Sequence, residues 1–252
     1  MHYRLPGVPG DSTSSVLLVH GAWHGAWCWD RVADSLMARG VPTVVVDLPG
    51  HGEDPGPFGD LHSDAERVRQ VLGTLGHPVV LVGHSYGGAV ITEAGLHPSV
   101  GHLVYLCALA LDGGETCMSA TVGLPGATAI SYAGRPDLGA GMAVSDDGIV
   151  TLEPSTAAAL LYNHCDPDTT AWAVSRLGPQ PLITLQQVPD AVAWQARPST
   201  YVVCSDDQIV HPELQRLMAE RCAGTTVEWE SDHSPFLSHP GRVVDLLAEL
   251  AG

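Results

Sequence analysis

From Ser15 the chain runs Ser-Val-Leu-Leu-Val-His, an unbroken β-branched and leucine stretch that stops at Gly21. A strand wetted on one face alternates apolar with polar residues; an unbroken apolar run suits a strand covered on both faces. Thr43-Val-Val-Val-Asp47, Pro78-Val-Val-Leu-Val-Gly83, His102-Leu-Val-Tyr-Leu-Cys107, Ser199-Thr-Tyr-Val-Val-Cys204 and Thr225-Thr-Val-Glu-Trp229 read as further strands. Between them the period changes. Trp27, Val32, Leu36 and Met37 recur at helical spacing within 26–39, and the pattern stops at Gly40. Other helices are predicted over 63–75, capped by Ser63 or Asp64, and over about 87–96, 211–222 and 240–250. Strands alternating with helices through short loops predict an α/β fold with a mostly parallel sheet and helices on both faces.

The alternation breaks after about Asp112. Residues 113–190 are rich in Gly, Pro and Ala, with helices expected near 155–163 and 168–177 and no clear buried strand. The chain therefore reads as an α/β core over 1–112 and 191–252, interrupted by a helical cap insertion over 113–190. An insertion placed at the C-terminal ends of strands lies where open parallel sheets bind ligands.

Composition narrows the chemistry. The chain has 252 residues, 45% of them hydrophobic and 15% charged, which suits a packed core rather than disorder. A net charge of −17 argues against nucleic acid and against an anionic membrane surface as partners. All 11 basic residues are Arg, so Schiff-base, pyridoxal-phosphate and Walker-loop chemistry lack their amine. The six Cys form no CxxC pair and the 13 His no HExxH motif, so neither a metal nor a cofactor is expected. The first residues lack the apolar stretch of a signal peptide and no apolar run reaches membrane-spanning length, which predicts a cytoplasmic protein. Its partner is expected to be a small molecule, and a homodimer is compatible with this composition.

Gly83-His84-Ser85-Tyr86-Gly87 matches G-x-S-x-G, a pattern that a chain with 28 Gly produces easily by chance. Its setting makes it informative: a buried strand precedes it and an Ala-Val-Ile-rich helix follows. In such a turn the Ser takes a strained backbone so that its hydroxyl stands clear, and a Cβ at either flanking Gly would collide with neighbouring chain. A Ser hydroxyl attacks only if a base removes its proton. In folds built on this turn the partners follow in the order acid, then His, on loops after later strands. Asp206 and Asp207 follow the strand ending near residue 204, and His233 follows the strand over 225–229. Two backbone N–H groups must also converge on the developing oxyanion. Tyr86, which opens the helix after Ser85, and Ala22, in the loop after the first strand, are the candidates. His20 is expected to bond backbone rather than to react.

The segments His20-Gly-Ala-Trp-His-Gly-Ala-Trp27-Cys-Trp29, Asp47-Leu-Pro-Gly-His-Gly52, Gly83-His-Ser-Tyr-Gly-Gly88, Tyr201 through Gln215 and Asp232-His-Ser-Pro-Phe236 resemble the plant methylesterase and hydroxynitrile-lyase branch of the α/β-hydrolases, which has bacterial carboxylesterase members. The resemblance implies Ser85 as nucleophile, His233 as base and Asp207 rather than Asp206 as the acid, with Ala22 and Tyr86 as oxyanion donors. The lyases resembled carry a Thr where this chain has Gly21 and a Lys where it has Ser234, so the resemblance implies ester hydrolysis rather than cyanohydrin cleavage.

The leading expectation is hydrolysis of a small, largely hydrophobic or aromatic carboxylic ester through an acyl-enzyme. Thioester or lactone cleavage would use the same machinery. Two other readings are a natural-product tailoring enzyme (cyclase, decarboxylase or thioesterase) and a ligand receptor with little turnover. Trp23, Tyr132, Tyr162 and Trp172 are expected to line the substrate pocket.

Overall fold

The computed structural model describes residues 14–75, 78–123, 130–131, 134–135, 137–222 and 224–252. The first half contains β1 (Ser15–Val19), α1 (Asp30–Ala38), β2 (Thr43–Val46), α2 (Leu61–Leu72), β3 (Val79–His84), α3 (Gly87–Ala94), β4 (Val100–Leu106) and α4 (Cys117–Gly123). There follow β5 (Met142–Val144), β6 (Ile149–Leu152), α5 (Pro154–Leu161), α6 (Pro167–Val174) and β7 (Gln180–Pro181). The chain closes with β8 (Ser199–Cys204), α7 (Pro212–Cys222), β9 (Thr225–Trp229), α8 (Pro235–Ser238) and α9 (Pro240–Ala251).

Six strands form one parallel sheet in the order β2-β1-β3-β4-β8-β9. Its two faces explain the unbroken apolar runs. Leu17, Val19, Leu81, Leu103, Tyr105, Tyr201 and Val203 face one core, with Val68 and Leu72 of α2, Val90 and Ile91 of α3, and Leu214 and Met218 of α7. Val16, Leu18, Val80, Val82, Val104, Leu106 and Val202 face the other, with Val32 and Leu36 of α1 and Val243, Val244 and Leu247 of α9. Each such aliphatic side chain, once buried, contributes about 1.5–3 kcal/mol. The period-2 alternation is present, but both of its faces are apolar because both are covered.

The strand order reverses beside β1. The chain steps outward from β1 to β2, then returns to lay β3 on the other side of β1, with Val19 paired to Gly83. The loops leaving β1 and β3 therefore diverge from adjacent points at the C-terminal edge of the sheet, the place where open parallel sheets bind ligands.

Two expectations are corrected. Helix α2 starts at Leu61, and its cap is Asp60 rather than Ser63 or Asp64. Asp60 accepts the Ser63 N–H at 2.9 Å while the Ser63 hydroxyl accepts the Asp60 N–H at 2.6 Å, a reciprocal box that starts the helix earlier. Residues 142–181 also hold a three-stranded antiparallel sheet, β5-β6-β7, which the sequence pattern did not suggest. Its strands are two to four residues long, and in β5 and β6 only Val150 is fully buried, too little to show a period. Among the described residues no helix is long and apolar enough to cross a membrane.

Candidate active site

Ser85 sits in the turn between β3 and α3 with φ +52, a left-handed conformation that side chains other than Gly rarely adopt. Close packing holds it there. The Ser85 carbonyl accepts the N–H of Gly88 at 2.9 Å and of Leu109 at 3.0 Å. A Cβ at Gly83 would lie 2.4 Å from the Gly87 carbonyl oxygen, and one at Gly87 would lie 2.6 Å from that of His20. Both glycines are thus required by contact with backbone, which cannot move aside.

His233 is 1% exposed and Asp207 is wholly buried. The His233 Nδ1–H donates to Asp207 Oδ2 at 2.7 Å. A carboxylate only accepts, so this bond puts the proton of neutral His233 on Nδ1 and leaves Nε2 with its lone pair. The carboxylate is itself fixed: Oδ1 accepts the N–H groups of Ile209 at 2.7 Å and Val210 at 3.0 Å, and Oδ2 also accepts from Gln215 Nε2 at 2.8 Å. Its neighbour Asp206 turns outward and lies 3.5 Å from His164 Nε2. Gln215 escaped sequence reasoning, although a signal existed. It is a polar residue on the buried stripe of α7, with Leu214, Met218, Ala219 and Cys222.

The His233 loop is held from below and from the side. His84 Nε2–H donates to the His233 carbonyl at 2.7 Å, and the Cys107 thiol reaches the same oxygen at 3.4 Å. Burial, with His233 beside it, pushes the His84 imidazole far below its ordinary pKa, so it stays neutral. Asp232, also wholly buried, accepts from His164 N–H, Ser234 N–H and the Ser238 hydroxyl. Sequence reasoning missed both His84 and Asp232 as supports of this loop, because each acts through a backbone contact between distant elements.

The loop after β1 meets the Ser85 turn at Gly21. A Cβ there would lie 2.8 Å from both Ser85 Cβ and His84 Nδ1, so the Thr expected of the lyases would require the Ser85 turn to shift. His20 bonds backbone as expected: Nδ1–H donates to the Gly21 carbonyl at 2.8 Å and Nε2 accepts the Leu48 N–H at 3.2 Å. Among the described residues, neither the Ala22 nor the Tyr86 N–H donates to a protein acceptor. The Tyr86 ring is buried and its hydroxyl donates to Asp64 Oδ2 at 2.6 Å.

The expected pocket residues fare differently. Trp23 is 5% exposed, with its indole N–H on the Val150 carbonyl at 3.2 Å, wedged between the loop and β6. Tyr162 is 1% exposed and packs with the core, and its hydroxyl is bonded to His24 Nε2 at 2.9 Å. Burial lowers the His24 pKa to about 4, so this imidazole is neutral and accepts the bond. Trp172 is likewise engaged elsewhere, edge-on to Trp27 at 5.3 Å and beneath the Arg176 guanidinium at 4.9 Å. Tyr132 lies outside the described residues. A cavity of about 310 Å³ opens beside Trp27, Asp30, Asp47 and Arg176, and Ser85 is not among its lining residues.

Comparison with known proteins agrees with this architecture. Residues 16–246 match the family described as the alpha/beta hydrolase family. The chain is 32% identical over 254 residues to an alpha/beta hydrolase of Aspergillus novofumigatus, spanning 94% of this chain and 96% of the relative. It is 29% identical to Methylesterase 18 of Arabidopsis thaliana, with 93% and 96% covered. The crystal structure of a pyrethroid hydrolase from Sphingobium faniae superposes with a TM-score of 0.80 at 25% identity, covering 94% of this chain and 97% of that one. The parallel sheet, the serine turn at its reversal point and a match running over nearly the whole core place this chain in the alpha/beta hydrolase family.

Proposed function

We propose that the chain hydrolyses a small, largely hydrophobic or aromatic carboxylic ester through an acyl-enzyme on Ser85. The observation that carries this reading is the buried 2.7 Å bond from His233 Nδ1–H to Asp207, which leaves Nε2 as the base. Ser85 attacks the ester carbonyl as its proton passes to His233 Nε2, and the carbonyl electron pair moves onto oxygen. That oxyanion is received by the Ala22 and Tyr86 N–H groups. Collapse returns the pair, breaks the bond to the leaving oxygen, and transfers the His233 proton to the departing alcohol. Water then attacks the acyl-enzyme, giving its proton to His233 and releasing the acid and the Ser85 hydroxyl. Asp207 holds the imidazole in the required tautomer and faces the positive charge that it gains.

A relative named as a methylesterase supports the choice of ester, and a structural neighbour named as a pyrethroid hydrolase supports hydrolysis. Residues 113–190 act in this reading as a cap over the strand ends, consistent with the bonds that Val150 and Gln180 make to Trp23. The test is a panel of p-nitrophenyl esters and aryl methyl esters hydrolysed by wild type and by Ser85→Ala. Wild type should turn over the short and aromatic members, and Ser85→Ala should lose all turnover. Hydrolysis retained by Ser85→Ala would overturn the serine mechanism, and a preference for long-chain esters would overturn the substrate class.

A further inference from the structure

The loop that offers the Ala22 N–H contains a residue in an unfavourable conformation. Trp23 has φ +63, in the left-handed region that a bulky aromatic rarely enters. Every polar group of Trp23 is bonded to the segment carrying the small antiparallel sheet. Its N–H donates to Gln180 Oε1 at 3.2 Å, its carbonyl accepts the Gly178 N–H at 2.8 Å, and its indole N–H donates to the Val150 carbonyl. The peptide joining residues 22 and 23 is consequently gripped on both edges. The Ala22 carbonyl accepts His24 Nδ1–H at 2.8 Å, and the Trp23 N–H is taken by Gln180.

Gln180 is built to be that grip. It is wholly buried, 157 residues away in the chain, and both ends of its amide are bonded. Gln180 Nε2 donates to Thr184 Oγ1 at 2.7 Å, and the Thr184 hydroxyl donates onward to the Pro181 carbonyl at 2.7 Å. The Trp23 N–H needs an acceptor, and with its hydroxyl directed at Pro181 Thr184 accepts from Gln180; together these keep Oε1 aimed at the loop. That oxygen also lies 3.0 Å from His51 Nε2 in the loop after β2. One amide thereby joins the small sheet, the loop after β1 and the loop after β2.

We infer that Gln180 is a positioning residue for ester hydrolysis: by holding the 22–23 peptide it anchors the backbone on the C-terminal side of Ala22, whose N–H, on the adjoining 21–22 peptide, is offered to the oxyanion. The inference rests on the function proposed above. The oxyanion exists in the transition state and the tetrahedral intermediate, not in the bound ester. A loosened donor therefore lowers kcat while leaving KM nearly unchanged.

The test compares Gln180→Leu, which removes the acceptor, with Gln180→Glu, which keeps an oxygen for the Trp23 N–H and lets Thr184 turn its hydroxyl inward. Kinetics on p-nitrophenyl acetate are expressed per site titrated with a fluorophosphonate, so that loss of folded protein does not count as loss of rate. Gln180→Leu should lower kcat by about 10- to 100-fold with KM within about threefold, and Gln180→Glu should recover most of that loss. A second readout is inhibition by phenyl trifluoromethyl ketone. The Ser85 oxygen adds to its carbonyl carbon, the carbonyl pair moves to oxygen and the serine proton passes to His233, giving a stable oxyanion adduct. Its affinity should fall in step with kcat across the two variants. A kcat within twofold of wild type in Gln180→Leu, a fall in kcat with no loss of ketone affinity, or no recovery in Gln180→Glu would each overturn the inference. Failure of wild type to react with the fluorophosphonate is a separate result, which overturns the serine reading and this inference with it.

Discussion

Asp64 is buried beneath the Ser85 turn, and its energetics can be read through pH. The side chain has no exposure, Oδ2 accepts the Tyr86 hydroxyl, and Oδ1 has no partner among the described residues. Burial pushes its carboxyl up from the ordinary 3.8 to about 7, against the opposing pull of the Tyr86 hydrogen bond. Between pH 4 and 7 the folded protein thus keeps a proton that the unfolded chain has released. The folded-state pKa being raised, the stability contributed by this group is present at low pH and is lost as pH rises through that window. At about 1.4 kcal/mol per pH unit over roughly three units, the loss amounts to about 4 kcal/mol. Asp64→Asn keeps the shape and an acceptor for Tyr86 but cannot ionise. The assay is urea unfolding of both proteins at pH 4, 5, 6, 7 and 8, followed by tryptophan fluorescence. The stability of Asp64→Asn minus that of wild type should climb by about 4 kcal/mol from pH 4 to pH 8. Buried neutral histidines such as His24 impose the opposite slope on both proteins, weakening them in acid, and they cancel in the difference. A difference that stays flat across the range would refute the buried, proton-holding carboxyl.

Two further outcomes follow from the site geometry. Asp207→Asn should lower kcat by on the order of 10³-fold or more, because an amide can present its N–H to His233 and favour the wrong tautomer, whereas Asp206→Asn, on a half-exposed side chain, should stay within about threefold. Steady-state kinetics on p-nitrophenyl acetate decide this, and a larger effect at Asp206 would reverse the assignment. Gly21→Ala should destabilise the protein by about 1–3 kcal/mol in urea and lower kcat at least about tenfold, since its Cβ would press on Ser85 and His84. Wild-type kcat in that variant would show that the two loops have slack that the contacts deny.

Much of the architecture was legible because it is written in local periods. The buried strands β1, β3 and β8 show as unbroken apolar runs, and the glycines about Ser85 show as a turn with no room for Cβ atoms. The sheet of residues 142–181 was not legible, since its strands are too short to carry a period. Helical spacing could not tell that Tyr162 gives its hydroxyl to His24 and its ring to the core.

By itself the amino-acid sequence determined the alternation of strands and helices, the strained turn at Ser85, and the order in which Asp207 and His233 follow it. The tertiary structure alone decided which of two adjacent aspartates turns inward to His233. It also decided that Gln215, His84 and Asp232 brace that pair, and that Gln180 and Asp64 reach the loops beside Ser85 from distant elements. The reason is physical. A period or a tight turn depends on neighbours along the chain, whereas a buried polar side chain finds its partner only where strand order and packing bring distant backbone within hydrogen-bonding reach.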